Sequence, residues 1–288
     1  MPNVSEGRDR AAIEAIAEAF AGAGARVLDI HADPDHQRAV YTLVGDPGRL
    51  APALLAGAQR AVERIRLPQD PDPARLHPHV GAIDVVPIVY LDPASRGAAC
   101  AEALVTADLI ATDLDLPVLL YGPLAHGRTR HELRRGGPAE LARRLAAHEL
   151  TPDFGPPRAH PTAGATLLAA RPPLIAFNLE LAPSATAQTA REIAAAIRET
   201  GPEGLPGVRA IGLELPSRGH LAQVSTNVER PDAVSLRTLV EAVRRHAPVV
   251  AAELVGLAPR ASLEDFPEDV PLRGFDPQRH ILENALGF

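Results

Sequence analysis

The sequence predicts an α/β (α+β) protein of two ferredoxin-like subdomains, each a mixed sheet with helices on one face. Three observations carry this expectation. Apolar residues alternate between helical spacing and strand-like runs along most of the chain. After residue 171 the order is strand, helix, strand, strand, helix, strand, the split β-α-β unit, and the first half holds a looser version of it. Between them, residues 149–171 are dense in Pro and Gly and read as a long loop. The expected division is therefore 1–170 and 171–288.

Taken in order, residues 9–20 place Ile13, Ile16 and Phe20 at helical spacing, with Asp9 as a cap. Residues 26–31 and 38–44 read as strands, the second rich in β-branched and aromatic side chains. Residues 47–66 hold a helix with Leu50, Leu54, Leu55, Ala58, Val62 and Ile65 on its apolar face. A long strand is expected near 81–91, a helix near 96–112, a short strand at 117–121 and an arginine-rich helix near 138–148. In the second half, strands are expected at 173–181, 208–215, 221–229 and 248–257, with helices at 184–200 and 233–246.

Composition removes several function classes. Lysine is absent, so all 29 counted bases are arginine, and Schiff-base, pyridoxal-phosphate and P-loop chemistry have no lysine to use. Cys100 is the single cysteine, which rules out a disulfide framework or a multi-cysteine cluster within this chain; in its alanine-rich helix it reads as a small buried residue. The net charge is −7 with no basic run, so nucleic acid is not an expected partner. No apolar run approaches the roughly 20 residues of a membrane helix. The N-terminus is polar from the start, so no leader is expected, the cytoplasm is the expected compartment, and Asn3-Val4-Ser5 is read as a chance glycosylation match.

Polar residues cluster in four places: Asn3, Ser5, Glu6 and Arg8; the turn 31–38; the stretch HPHVGAID at 77–84; and the loop DFGPPRAHPTAGAT at 153–166. His77-Pro78-His79 admits three readings. It is a metal pair, an acid/base histidine at a strand end, or a polar turn. Pro78 favours an extended residue before it, which turns the two imidazoles to opposite sides and counts against a shared metal. Asp84 lies seven residues beyond His77 and reaches that imidazole only through a bend.

Seven motifs, in order, resemble those of the formiminotransferase family over most of the chain. PNVSEGRD resembles its PNFSEG entry, and DPDHQRAVYTLVG its DxDHNRSVxTFVG. HPHVGAIDVVPIVYL is similar to HPRxGAxDVxPFxPL, and LPVLLYG to xPVYLYG. DFGPPRAHPTAGATLLAARPPLIAFNLEL is similar to DFGPxxxHPxxGATxxGARxFLIAxNxNL. GHLAQVSTNV and ELVGLAP resemble xxAQVSxN and EIVGLVP. The resemblance implies two α/β subdomains around a cleft, a homodimer, and transfer of a formimidoyl group from N-formimidoyl-L-glutamate to N5 of tetrahydrofolate. It implies His77 as general acid/base, with His31 and Asp35 as candidate orienting partners. Tetrahydrofolate is a co-substrate, with no tightly bound cofactor and no metal. The folate loop maps to Gly155, Pro156, Pro157, Arg158, Ala159, His160, Pro161, Thr162, Ala163 and Gly164. Asn3, Ser5, Glu6, Arg8, Arg38, Arg171, Asn178, Gln223 and Asn227 lie inside matched motifs and are further binding candidates. With no lysine, arginine must hold the substrates' carboxylates.

The chain departs from the pattern at Leu76, His79 and Pro123, where the family has Glu, Arg and Glu. Arg75 is a candidate replacement for the lost cation. The stretch before Pro2 also reads as cut short, and the tail after Pro259 as short and proline-rich. These departures leave open a relative with another donor or acceptor, or a non-catalytic folate-binding protein.

Overall fold

The computed structural model describes residues 1–67 and 76–287 and divides into two compact units, Met1–Pro172 and Pro173–Phe288. Among the described residues no helix is long and apolar enough to cross a membrane.

The first unit runs β1 (Asn3–Val4), α1 (Arg10–Gly22), β2 (Arg26–Asp33), β3 (Arg38–Val44), α2 (Leu50–Arg64) and β4 (Ile83–Val89). It continues through α3 (Arg96–Leu114), β5 (Val118–Leu120), α4 (Arg130–Arg134), α5 (Gly137–Ala146) and β6 (Thr166–Arg171). Its six-stranded sheet has the order β2-β3-β1-β4-β6-β5. The first four strands are antiparallel, in the split β-α-β arrangement; β6 and β5 extend the sheet in parallel with β4.

Local chemistry accounts for these elements. Asp9 caps α1 by accepting the Ala12 N–H, and Ile13, Ile16 and Phe20 turn inward. The α2 start carries Arg49 at its cap position, which offers no acceptor. Instead Glu102, seven per cent exposed on α3, accepts the N–H groups of Gly48 and Ala51, both at 2.6 Å. A carboxylate from a neighbouring helix thus satisfies orphan donors at the positive end of the helix dipole.

Two elements of the first unit differ from the sequence expectation. Residues 166–171 are strand β6 rather than loop, and all but the last are buried. The sheet is covered on both faces there: α3 side chains pack on one side, and Leu133, Leu141 and Leu145 from α4 and α5 pack on the other. A parallel strand buried on both faces shows no alternation to read, and TLLAAR shows none. The second element is α4, a five-residue helix fixed by a Thr129–Glu132 capping box and too short for a periodic signal.

The second unit runs β7 (Ile175–Leu181), α6 (Ala187–Ile197), β8 (Val208–Leu215), β9 (Leu221–Val228), α7 (Leu236–Arg244) and β10 (Val249–Val255). Two short helices follow, α8 (Pro277–His280) and α9 (Leu282–Leu286). The sheet order is β10-β7-β9-β8, antiparallel throughout. Strand alternation sends Phe177, Leu179 and Val224 into one core with Leu239, Val240 and Val243 of α7. Asn178, Glu180, Gln223 and Glu253 take the opposite face.

Candidate active site

The first unit gathers charged groups around one carboxylate. Asp84 is wholly buried on β4. Its Oδ1 accepts the Val80 N–H at 2.8 Å, and its Oδ2 accepts Nη1 of Arg38 at 2.8 Å and Nη2 of Arg134. Arg38 opens β3, and its Nε donates to Oδ1 of Asn3 at 2.9 Å. The Asn3 amide donates in turn to the Met1 carbonyl. Two guanidiniums on one carboxylate leave an excess positive charge below the surface. Burial raises the Asp84 pKa, but Arg134 and Arg38 outweigh it and hold the carboxyl below its ordinary value. Arg38 is pushed down to about 10, first by burial and against the pull of Asp84.

His77 sits beside this cluster. Its Nδ1 lies 2.8 Å from the Pro78 carbonyl and 3.3 Å from Nη1 of Arg38. Nδ1 thus faces an acceptor at the shorter distance and a donor at the longer one, and the shorter contact favours the tautomer with the proton on Nδ1 and the lone pair on Nε2. Burial first, then Arg38, Arg134 and His36, hold the imidazole well below its ordinary pKa, so it is neutral at pH 7. The ring stacked on His77 is that of His36, with centroids 6.0 Å apart. His36 is placed by a turn in which Asp33 Oδ1 accepts the N–H groups of Asp35 and His36, each at 2.8 Å. Gly7 makes room for that turn: a Cβ there would stand 2.0 Å from the Asp33 carbonyl oxygen.

The other candidates divide by location. Ser5 is buried; its hydroxyl donates to Gly81 O at 2.7 Å and its N–H to Ala82 O at 2.9 Å, which ties β1 to the start of β4. Glu6 accepts the N–H groups of Arg8 and Asp9, a helix-start role. Arg8 is exposed and donates to Pro34 O. Asp35 is buried in the turn beside His36, whereas His31 lies on β2 opposite Val40. Arg171 ends β6 and donates to Pro172 O. His79 brings Nδ1 to 3.3 Å from the His77 carbonyl. Arg75 lies outside the described residues.

The end of the 155–164 segment is bonded to the strand start that leads to Asp84. Leu67 N–H bonds Thr162 O, Ala82 N–H bonds Ala163 O, and Ala165 N–H bonds Val80 O. His160 Nδ1 accepts the N–H groups of Ala163 at 3.0 Å and Thr162 at 3.3 Å, which leaves its proton on Nε2. Arg158 pairs with Asp115 at 2.6 Å on the surface, both side chains more than half exposed. Gly164 has φ +71°, and a Cβ there would meet the Val80 carbonyl oxygen at 2.1 Å. Gly164→Ala should therefore cost about 2 kcal/mol or more, from the left-handed backbone plus the displaced contact. Urea unfolding of the variant checks this; an unchanged midpoint would refute the close approach.

In the second unit, Asn178 donates to Glu253 at 3.3 Å, and Gln223 pairs in register with Glu180. Arg218 binds Glu180 and Glu253, and Arg273 binds Glu180 at 2.6 Å. Asn227 is half-buried further along β9, opposite Ala176. These three candidates thus belong to the polar sheet face of that unit.

Arg134 and His36 are the site residues that sequence reasoning missed. Arg134 belongs to an arginine-rich run at 128–135 shortly after the short strand, which was the available signal. His36 stood inside a matched motif.

The family model described as the formiminotransferase domain, N-terminal subdomain, matches residues 1–171, and that of the formiminotransferase domain matches residues 176–267. The chain is 34% identical to a glutamate formimidoyltransferase of Streptococcus pyogenes serotype M1, over 99% of this chain and 97% of that protein. It is 32% identical to one from Thermoplasma acidophilum, over 99% and 96%. It is 37% identical to the formimidoyltransferase-cyclodeaminase of Rattus norvegicus, over 92% of this chain and 50% of that protein. The chain thus spans about half the length of the cyclodeaminases it matches.

Proposed function

The chain belongs to the formiminotransferase family, and from that we propose that it is a glutamate formimidoyltransferase with His77 as general acid/base. The donor is N-formimidoyl-L-glutamate and the acceptor is N5 of tetrahydrofolate. The observation that carries the reading is the neutral His77, with Nε2 carrying the lone pair, beside Arg38 and Arg134. The names of two relatives matched almost end to end support it.

The residues fit the chemistry. N5 attacks the formimidoyl carbon, and a C–N bond forms as the C=N bond opens. N5 is conjugated with an electron-poor ring and is a weak base, so after attack it surrenders its proton readily. Nε2 of His77 accepts that proton. The resulting imidazolium, surrounded by guanidiniums, is a stronger acid than a free one and gives the proton to the glutamate nitrogen. The bond from the formimidoyl carbon to that nitrogen then breaks as the C=N bond re-forms, glutamate leaves as an amine, and the imidazole returns to neutral. Residues 155–164, whose last residues are bonded to the strand start, are the proposed folate-contacting segment. The reading carries with it a cytoplasmic homodimer and no tightly bound cofactor, on the resemblance of the ordered motifs.

Purified protein given both substrates should form 5-formimidoyl-tetrahydrofolate and free glutamate in equal amounts, measured by chromatography. Product no higher than in a protein-free control would sink the reading.

A further inference from the structure

Arg134 has unused binding capacity beside the reacting centre. Its side chain is nine-tenths buried. Among the described residues its hydrogen bonding is the Nη2 contact to Asp84, and its Nε is buried with no hydrogen-bond partner. A buried guanidinium donor left unpaired costs about 1–3 kcal/mol, which a protein tolerates where a ligand completes the pairing. Among the described residues Asp84 is the one carboxylate paired with both Arg38 and Arg134, which leaves one positive charge over for an anion. A second orphan lies on the same side of the sheet. Tyr121 packs with Leu133 of α4, its hydroxyl is buried without a hydrogen-bond partner among the described residues, and Arg130 covers its ring at 5.6 Å.

We infer that Arg134 binds a carboxylate of the amino-acid donor, its α-carboxylate, and so sets donor recognition. This rests on the formimidoyltransfer reading. Distance selects this group. Arg134, Asp84, Arg38 and His77 form one unbroken chain of contacts. The donor's α-carboxylate is two bonds from the nitrogen that His77 protonates. The carboxylates of the folate are separated from N5 by a whole aminobenzoyl ring and fall outside this reach.

Arg134→Gln should raise the KM for N-formimidoyl-glutamate roughly 10- to 100-fold, the range for a lost charge-assisted hydrogen bond. The KM for tetrahydrofolate should stay within about twofold. The N-formimidoyl derivative of γ-aminobutyrate lacks the α-carboxylate. The wild type should discriminate against it, and Arg134→Gln should not. Arg134→Lys, which keeps the charge, should recover part of the donor affinity. Circular dichroism and thermal melts show whether the glutamine variant is folded; if it is not, the lysine variant with the two donors still decides. A lower kcat with unchanged donor KM would mean that Arg134 only props Asp84, and equal discrimination between the donors by both proteins would overturn the inference too. Calorimetric titration of N-formimidoyl-glutamate without folate reads binding apart from turnover. Tighter binding by wild type than by Arg134→Gln upholds the inference even if no transfer occurs; equal binding overturns it.

Discussion

His77→Ala should lower kcat/KM about 10²–10⁴-fold, the usual worth of a positioned general acid/base, and circular dichroism should show the fold intact. The side chain is half-buried ahead of β4, and among the described residues its ring meets Arg38, the Pro78 carbonyl and the His36 ring, so its removal leaves the core packing in place. Wild-type rates in this variant would remove His77 from the mechanism. The pH profile gives a second readout. His77 is held well below its ordinary pKa by burial and by Arg38, Arg134 and His36. The neutral form needed for the first proton transfer therefore persists below about pH 6.5, the free imidazole value. The acid limb of kcat/KM should lie lower than that, and Arg134→Gln should move it upward by removing a repelling charge. Stability follows the same sign. The unfolded chain takes up this proton near pH 6.5 and the folded one at lower pH, so the contribution present above pH 6.5 is lost as pH falls towards the folded value. His77→Ala should flatten that part of the stability profile.

Asp84→Ala is the largest expected loss of stability, about 3–5 kcal/mol. The carboxylate is wholly buried and answers both Arg38 and Arg134, as well as the Val80 N–H. Its removal strands two buried cations that repel one another. Denaturant unfolding should show the drop in the midpoint, and a loss below about 1 kcal/mol would show that the carboxylate does not hold the cluster together. Replacing Arg38 and Arg134 by Met and Asp84 by Leu together should recover most of the stability, since well-packed apolar groups often match a buried ion cluster. That triple variant should remain inactive. Asp84 has its pKa held below the ordinary carboxylate value, so its stabilisation is present above that value and is lost as pH falls through the folded one.

The extent to which this arrangement is legible in the sequence varies by element. Helix α1, with its Asp9 cap, is plain in the pattern because it buries a single face, and β3 is plain through its β-branched and aromatic residues. The second unit is plain for the same reason: β7 and β9 alternate between the helix-covered core and the polar face. Strand β6 is hidden, because helices cover both its faces and the alternation disappears. His77 is legible through its motif, whereas its neighbours are only half so. In the sequence His31 and His36 stand in one short polar stretch, 31–38. Only the Asp33 turn, set against Gly7, decides that His36 meets the His77 ring.

The sequence by itself determines the layered α/β class, most of the order of elements, the family, and the reliance on arginine for every strong positive charge, lysine being absent. These follow from local periodicity, residue inventory and ordered motifs, which are properties of the chain read in one dimension. The tertiary structure alone decides that Arg134 meets Asp84 across 50 residues, that Glu102 caps α2 across 51, and that Arg38 joins Asp84 to His77. The reason is physical. A buried charge accepts whichever partner the packing brings within hydrogen-bond distance, and that proximity has no period in the sequence for a reader to find.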